Sequence, residues 1–224
     1  MEISIKTVQV FVNAAAEFGN ALGIVESSSQ LSDELCQRLA RRAGFSETVF
    51  IDDVATARIR IFTPNRQIPF AGHPTVGTAW FLQQQGIDVT ALRTKVGIVA
   101  AAADQDGAWI QAPSAWSTPW ELIALSSPAE VDAAPATGND RHDYAWAWID
   151  EAAGIVRARA FTSASGPFED EATGSAAMWL ANELDRPLQI QQGRGSILHV
   201  EPQDSGLIRL TGHVCRGADL ALQI

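Results

Sequence analysis

The sequence predicts a mixed α and β protein made of two related lobes, each built around a strand, a loop and a helix. Three observations lead there. Arg58-Ile-Arg-Ile-Phe-Thr63 returns as Arg157-Ala-Arg-Ala-Phe-Thr162. Features on either side of that segment return in the same order. Both copies then pass through a proline- or glycine-bearing loop into a run of small residues with helical character.

The repeat is the first feature to justify, because overlooking one misassigns the whole fold. Upstream, Ile51-Asp52-Asp53 is echoed by Ile149-Asp150-Glu151. Downstream, Pro69-Phe70, Thr75, Ala79 and Leu82 reappear 98 residues later as Pro167-Phe168, Thr173, Ala177 and Leu180. Several matches in register favour duplication over coincidence, and the short period of a solenoid is absent. The lobes are expected at 1–113 and 114–224, with the boundary near Pro113, at the start of a stretch (114–140) rich in Ala, Ser, Pro and Thr.

Within each copy, Arg58–Phe62 alternates charged and apolar residues like a strand with one buried face, and the second copy alternates Arg with Ala. Loops follow at 64–69 and 163–167. Pro74 suits a first helical turn and Gly86 a helix stop. In the second copy Thr173 or Ser175 can cap the helix and Pro187 ends it. Near the start of the chain, Val8, Val10 and Val12 alternate with Gln9, Phe11 and Asn13 as a strand, and 22–26 is a second apolar run. Between them and the repeat lies a helix capped by Ser32, with Leu35, Leu39 and Ala43 on one face and Gly44 as its end.

The chain has 224 residues, 46% hydrophobic and 19% charged, which is ordinary for a globular protein with a real core. Its formal net charge of -10 argues against a nucleic-acid surface, which needs clustered Lys and Arg. No apolar run reaches the roughly 20 residues of a membrane span. The first residues lack the apolar stretch of a signal peptide. The two cysteines, Cys36 and Cys215, sit in no metal-ligand spacing. A cytoplasmic protein with reduced thiols and no metal is the expectation.

Candidate chemistry concentrates where loops enter helices. Ala71-Gly72-His73-Pro74-Thr75 and Glu169-Asp170-Glu171-Ala172-Thr173-Gly174-Ser175 both lead to helix N-termini, whose free N–H groups suit an anion. Two such ends facing each other would form a carboxylate pocket. The plainer reading is that Gly72 and Gly174 permit tight turns and Ser175 caps. His73 is a candidate general acid or base, or simply a histidine bonded to a turn. Asp170 sits among carboxylates that a helix dipole alone would explain. Yet its counterpart 98 residues earlier is Gly72, the asymmetry expected of a site shared between lobes. Glu47, among Phe45, Val49 and Phe50, is a candidate general base with a pKa raised by desolvation, unless strand alternation points it to water.

At these residues the chain resembles the PhzF family, named for phenazine biosynthesis, with the fold of diaminopimelate epimerase. The resemblance rests on Val10-Phe11, Gly19-Asn20 and Ser46-Glu47-Thr48. It continues in Arg58-Ile-Arg-Ile-Phe-Thr-Pro64, in Pro69-Phe-Ala-Gly-His-Pro-Thr-Val-Gly-Thr-Ala79, and in Glu169-Asp170 with Thr173-Gly174-Ser175. It implies an α+β fold of two pseudo-symmetric lobes, each a curved, mostly antiparallel sheet wrapped around a central helix, with the active site in the cleft between them. It implies proton-transfer isomerisation of a small carboxylate-bearing metabolite without a cofactor, and a homodimer. Glu47 maps to the catalytic base, His73 and Asp170 to cleft residues, and Gly174 and Ser175 to the grip on a substrate carboxylate, with Gly72 and Thr173 beside them. The two-thiol chemistry of diaminopimelate epimerase is not expected, because its cysteines would fall at Gly72 and Asp170. The alternative is a non-catalytic small-molecule binder that keeps the cleft. Three departures from the family stand out: a shorter second lobe, Glu171 in place of a common proline, and an abbreviated Gln192-Gly-Arg-Gly195 segment.

Overall fold

The structure, a computed structural model, describes residues 2–136, 141–162 and 169–223. The loop expected at 163–167, and Pro167-Phe168 of the repeat, lie outside the described residues.

The first strand, β1 (Glu2–Val12), pairs antiparallel with β2 (Asn20–Val25). Its expected alternation breaks at one place. A bulge between Val10 and Val12 leaves Phe11 out of the ladder at a φ of +68° and buries its ring. The bulge re-aims a side chain that simple alternation would have sent to the other face. Gly212 accepts that ring, since a Cβ there would collide with it.

Helix α1 (Asp33–Ala43) begins and ends where its caps require. The Ser32 hydroxyl accepts the Leu35 N–H at 3.3 Å, and Gly44 takes a left-handed φ of +75° with its N–H on the Ala40 carbonyl. Its buried face is Cys36, Leu39 and Ala40, with the predicted Leu35 and Ala43 only partly covered at the edges.

Strand β3 (Glu47–Asp53) runs parallel to β2 and antiparallel to β4 (Arg58–Phe62), onto which the short β5 (Gln67–Ile68) folds. Helix α2 (Gly72–Gln84) follows, then β6 (Ala91–Arg93), β7 (Ile98–Ala103) and β8 (Gly107–Ala112). The stretch after Pro113 carries a one-turn helix (Ser114–Trp116), β9 (Glu121–Ala124) and α3 (Pro128–Ala133). Then come β10 (Asp143–Asp150), β11 (Ile155–Phe161), α4 (Gly174–Leu184), β12 (Leu188–Gln192), β13 (Ser196–Pro202), β14 (Ile208–Arg216) and β15 (Leu220–Gln223).

These strands form one α+β sheet in the order β15-β1-β2-β3-β4-β6-β7-β8-β14-β13-β12-β11-β10-β9. Because β1 also pairs with β14, the run from β1 to β8 closes on itself through β14. Helix α2 occupies the interior of that closed run. Residues 72–82 are all buried, which explains why the helix has no polar face. Gly77 lets it approach the sheet, where a Cβ would lie 2.7 Å from both Leu22 and Val10 side chains. Helix α4 buries Ala176, Ala177, Met178, Leu180 and Ala181 against the later strands. Among the described residues no helix is long and apolar enough to cross a membrane.

The strand senses match across the chain. β2–β3 and β9–β10 are parallel, β3–β4 and β10–β11 antiparallel, β4–β6 and β11–β12 parallel. The sequence matches run 99 residues apart in the Arg-x-Arg-x-Phe-Thr segment and 98 apart after a one-residue slip in the loop, and that spacing does not survive into the helices. Nine residues (63–71) join β4 to α2, whereas twelve (162–173) join β11 to α4, so the helices start at Gly72 and Gly174, 102 positions apart. Thr173 therefore precedes its helix while Thr75 lies inside one, and the position matching Gly72 is Gly174 rather than Asp170.

Candidate active site

Glu47 is placed by a short chain of local causes. Gly44 ends α1 with its left-handed turn, Phe45 and Ser46 reverse the chain, and β3 starts at Glu47 opposite Leu22 of β2. The carboxyl is only 18% exposed, and its Oε2 lies 3.3 Å from Nδ1 of His73. Burial, reinforced by the negative Asp170 nearby, pushes its pKa well above the usual carboxylate range, while the Ser46 hydroxyl opposes the shift.

Asp170 reaches the same place from the other half of the chain. Its N–H bonds the Ala160 carbonyl at 3.0 Å, pinning the turn to the end of β11. Asn20 donates to its Oδ1 at 2.7 Å and the Thr173 hydroxyl donates to its Oδ2 at 2.6 Å. Burial pushes this carboxyl up as well, and the two hydrogen bonds pull it back down. Asn20 also donates to the Ala172 carbonyl at 3.0 Å and accepts the Ser46 hydroxyl at 3.2 Å. One amide thus links the neighbour of Glu47 to Asp170.

The helix N-termini meet between these acids. A Cβ on Gly72 would lie 3.0 Å from Cα of Gly174, and one on Gly174 would lie 3.2 Å from Cα of Gly72. Neither helix start is capped by a side chain, for Ala71 has no acceptor and Thr173 turns its hydroxyl to Asp170 instead. Ser175 does not cap either. Its Oγ accepts the indole N–H of Trp120 at 3.0 Å.

A cavity of about 460 Å³ opens over this junction. Of the predicted residues, Glu47, Asp170, Thr173 and Ser175 line it. Gly72, His73 and Gly174 are buried, and the cavity wall at α2 is formed by Ala71. His73 is cut off from solvent at this junction. Burial lowers its pKa to about 3, so its ring is uncharged near neutrality. Its Nε2 is buried without a partner among the described residues.

The far side of the cavity was not legible from sequence. Trp120 and His142 line it and pack with ring centroids 5.1 Å apart and planes tilted by 40°, with Arg66 and Phe70 also on the wall. The one available hint was a pair of tryptophans, Trp116 and Trp120, in an otherwise small-residue stretch. Asn20 stood in a quoted motif with no role attached.

Glu171 is not among the lining residues, and its carboxylate is turned onto the segment at 192–196. It accepts the Arg194 backbone N–H at 3.0 Å, the Ser196 hydroxyl at 2.9 Å and the Arg194 Nε–H at 3.1 Å. Ser196 in turn accepts the Gly19 N–H at 3.0 Å, next to Asn20. The Glu171 carboxylate therefore braces the site from outside.

Among the described residues no group of three or more His, Cys, Asp or Glu is placed to hold a metal ion. Neither Cys36 nor Cys215 lines the cavity. Cys36 is buried under α1, which pushes its thiol up to about 11.

Comparison with known proteins bears on the family and the fold. The family model PhzC-PhzF, described as phenazine biosynthesis-like protein, matches residues 8–153. The chain is similar to trans-2,3-dihydro-3-hydroxyanthranilate isomerase of Pseudomonas aeruginosa, 34% identical over 216 residues, covering 79% of this chain and 78% of that protein. In fold it is similar to a PhzF-family phenazine biosynthesis protein of Enterococcus faecalis, with a TM-score of 0.78, 19% identity and full coverage (100%) of both chains. It is also similar in fold to a hydroxyproline epimerase of Agrobacterium vitis, with a TM-score of 0.68 and 11% identity, covering 99% of this chain and 92% of that one.

Proposed function

The chain belongs to the PhzC-PhzF family of phenazine biosynthesis-like proteins, and from that membership and the cavity we propose that Glu47 moves a proton on a bound carboxylate. The chain is an isomerase of a small carboxylate-bearing substrate. Its substrate class is proposed to be a cyclic, amino-acid-like carboxylate, in line with the name of the Pseudomonas aeruginosa relative.

The observation that carries the reading is the meeting of Glu47 and Asp170, from opposite halves of the chain, in one cavity beside two helix starts without side-chain caps. The substrate carboxylate is assigned to the start of α4. There N–H groups and the helix dipole favour an anion. Ser175 accepts from Trp120, so its own proton is free to donate into the cavity. Glu47 takes a proton from a carbon of the substrate, and the electron pair passes into the adjoining unsaturated system. A proton returned to a different carbon completes the isomerisation. A raised pKa strengthens Glu47 as a base, since general-base catalysis is most effective when the pKa lies near the working pH. The neutral His73 ring, 3.3 Å away, orients the carboxyl without adding charge.

The test is solvent exchange. The protein is incubated in heavy water with a panel of small carboxylates that includes trans-2,3-dihydro-3-hydroxyanthranilate, and products are read for deuterium at carbon. Incorporation that depends on Glu47 is expected. Binding without exchange across the panel would leave the cleft a binding site and overturn the assignment of Glu47.

Two further readings belong to the same proposal. The matching strand senses, with the recurring Arg-x-Arg-x-Phe-Thr segment, support an internal duplication dividing near Pro113. A homodimer is proposed on the family likeness, and a solution mass checks it.

A further inference from the structure

Gln192 is wholly buried, and every polar atom of its side chain is committed. Its Oε1 accepts the Tyr144 hydroxyl at 3.1 Å and the Thr173 backbone N–H at 3.1 Å. Its Nε2 donates to the Asp170 carbonyl at 2.9 Å and to Oγ1 of Thr173 at 2.9 Å. An amide nitrogen can only donate, so Thr173 must receive at that position. Its own proton then has one place to go, Oδ2 of Asp170. The other carboxylate oxygen faces Asn20, whose amide nitrogen likewise can only donate. Both oxygens of Asp170 are therefore held as acceptors, the arrangement that favours a carboxylate over a carboxylic acid.

We propose that Gln192 is a positioning residue: by fixing the direction of the Thr173 hydroxyl it keeps Asp170 ionised beside Glu47. This rests on the role given to Glu47 above, and it supplies what that role needs. A standing negative charge beside Glu47 makes it a stronger base. The orientation is secured by the strand pairing, because Gln192 is the last residue of β12 and Tyr144 stands on the buried face of β10. The ionisable groups facing Asp170 are Glu47 on β3 and Glu171 on its own turn, with Tyr144 behind it. None of them is cationic, so hydrogen bonds rather than an ion pair must hold the charge.

The experiment is a carboxyl titration that needs no substrate, so its failure and that of the exchange test are separate events. The protein is labelled with 13C at aspartate carboxyls, the Asp170 signal is assigned with Asp170→Asn, and its shift is followed against pH. Thr173→Val and Gln192→Leu should each raise the Asp170 midpoint by about one unit, the size of one hydrogen bond to a charged group. The double variant should go no further, and Thr173→Ser should stay at the parent value. A Gln192→Leu titration unchanged from the parent, beside a shifted Thr173→Val, would overturn the proposal. Should Gln192→Leu fail to fold, the parent protein decides. The Thr173 hydroxyl proton should be visible by NMR as a slowly exchanging signal close to Asp170, and a freely exchanging hydroxyl there would refute the fixed direction.

Discussion

Gly72 and Gly174 stand against each other as the first residues of α2 and α4, their backbones close enough that neither tolerates a side chain. A Cβ on Gly72 would lie 2.7 Å from Cδ2 of Leu210 and 3.0 Å from the backbone of Gly174. Backbone cannot swing aside as a side-chain tip can. Gly72→Ala should therefore destabilise the fold by the roughly 1–3 kcal/mol typical of overpacking. Chemical denaturation measures it, and an unchanged midpoint would mean that the two helix starts are not in contact.

Glu47→Gln keeps the size and reach of the side chain and removes the basic oxygen. Turnover in the exchange assay should fall by about 10²–10⁴-fold, the usual contribution of a general base. Folding should be little affected, since a neutral amide is no costlier to bury than a desolvated carboxylate. Asp170→Asn should also slow turnover while leaving the chain folded.

The buried titrating groups give the stability profile opposite slopes at its two ends. His73 has its pKa lowered from 6.5 to about 3, so the stability of its neutral form is complete above 6.5 and is lost as pH falls toward 3. Glu47 has its pKa raised, so its contribution is complete below the ordinary carboxylate range and is lost as pH climbs through the raised value. His73→Gln should flatten the acid limb of a stability-against-pH curve, and Glu47→Gln the alkaline limb. Denaturation at a series of pH values reads both, and parallel curves for parent and variants would contradict the burial of these groups.

Trp120→Phe preserves a ring in the cavity wall but removes the donor that orients Ser175. Loss of one hydrogen bond of about 1 kcal/mol corresponds to roughly a fivefold change. The KM for the carboxylate substrate should rise on that scale with kcat less affected. A fall in kcat alone would place Trp120 in the chemical step instead.

Much of the fold was legible because its determinants are local. Ser32 and Gly44 bracket α1 through bonds to residues three and four positions away, which a reader of the sequence can count. Pro74, Gly86 and the Arg-x-Arg alternation are read in the same way. The bulge at Phe11 was not legible, because it answers to Gly212 on a strand from the far end of the chain. The helix starts were misaligned for a related reason. The strand segment repeats at 99 residues and the downstream matches were counted at 98, which makes the second loop one residue shorter; it is three longer, and that difference of four moves Gly174 into the place that counting gave to Asp170.

The sequence by itself determined the α+β class, the family, and the identity of the acids Glu47 and Asp170, because propensity, capping and motif spacing are properties of neighbouring residues. Only the tertiary structure decided their states. Asn20 reaches Asp170 across 150 positions, Gln192 directs Thr173 across 19, and Trp120 holds Ser175 across 55. Those contacts exist because the sheet closes through β14 and packs the starts of α2 and α4 together. Burial at that junction favours the neutral form of His73 and raises both carboxyls, since the energy of a charge depends on everything around it in space, near or far along the chain.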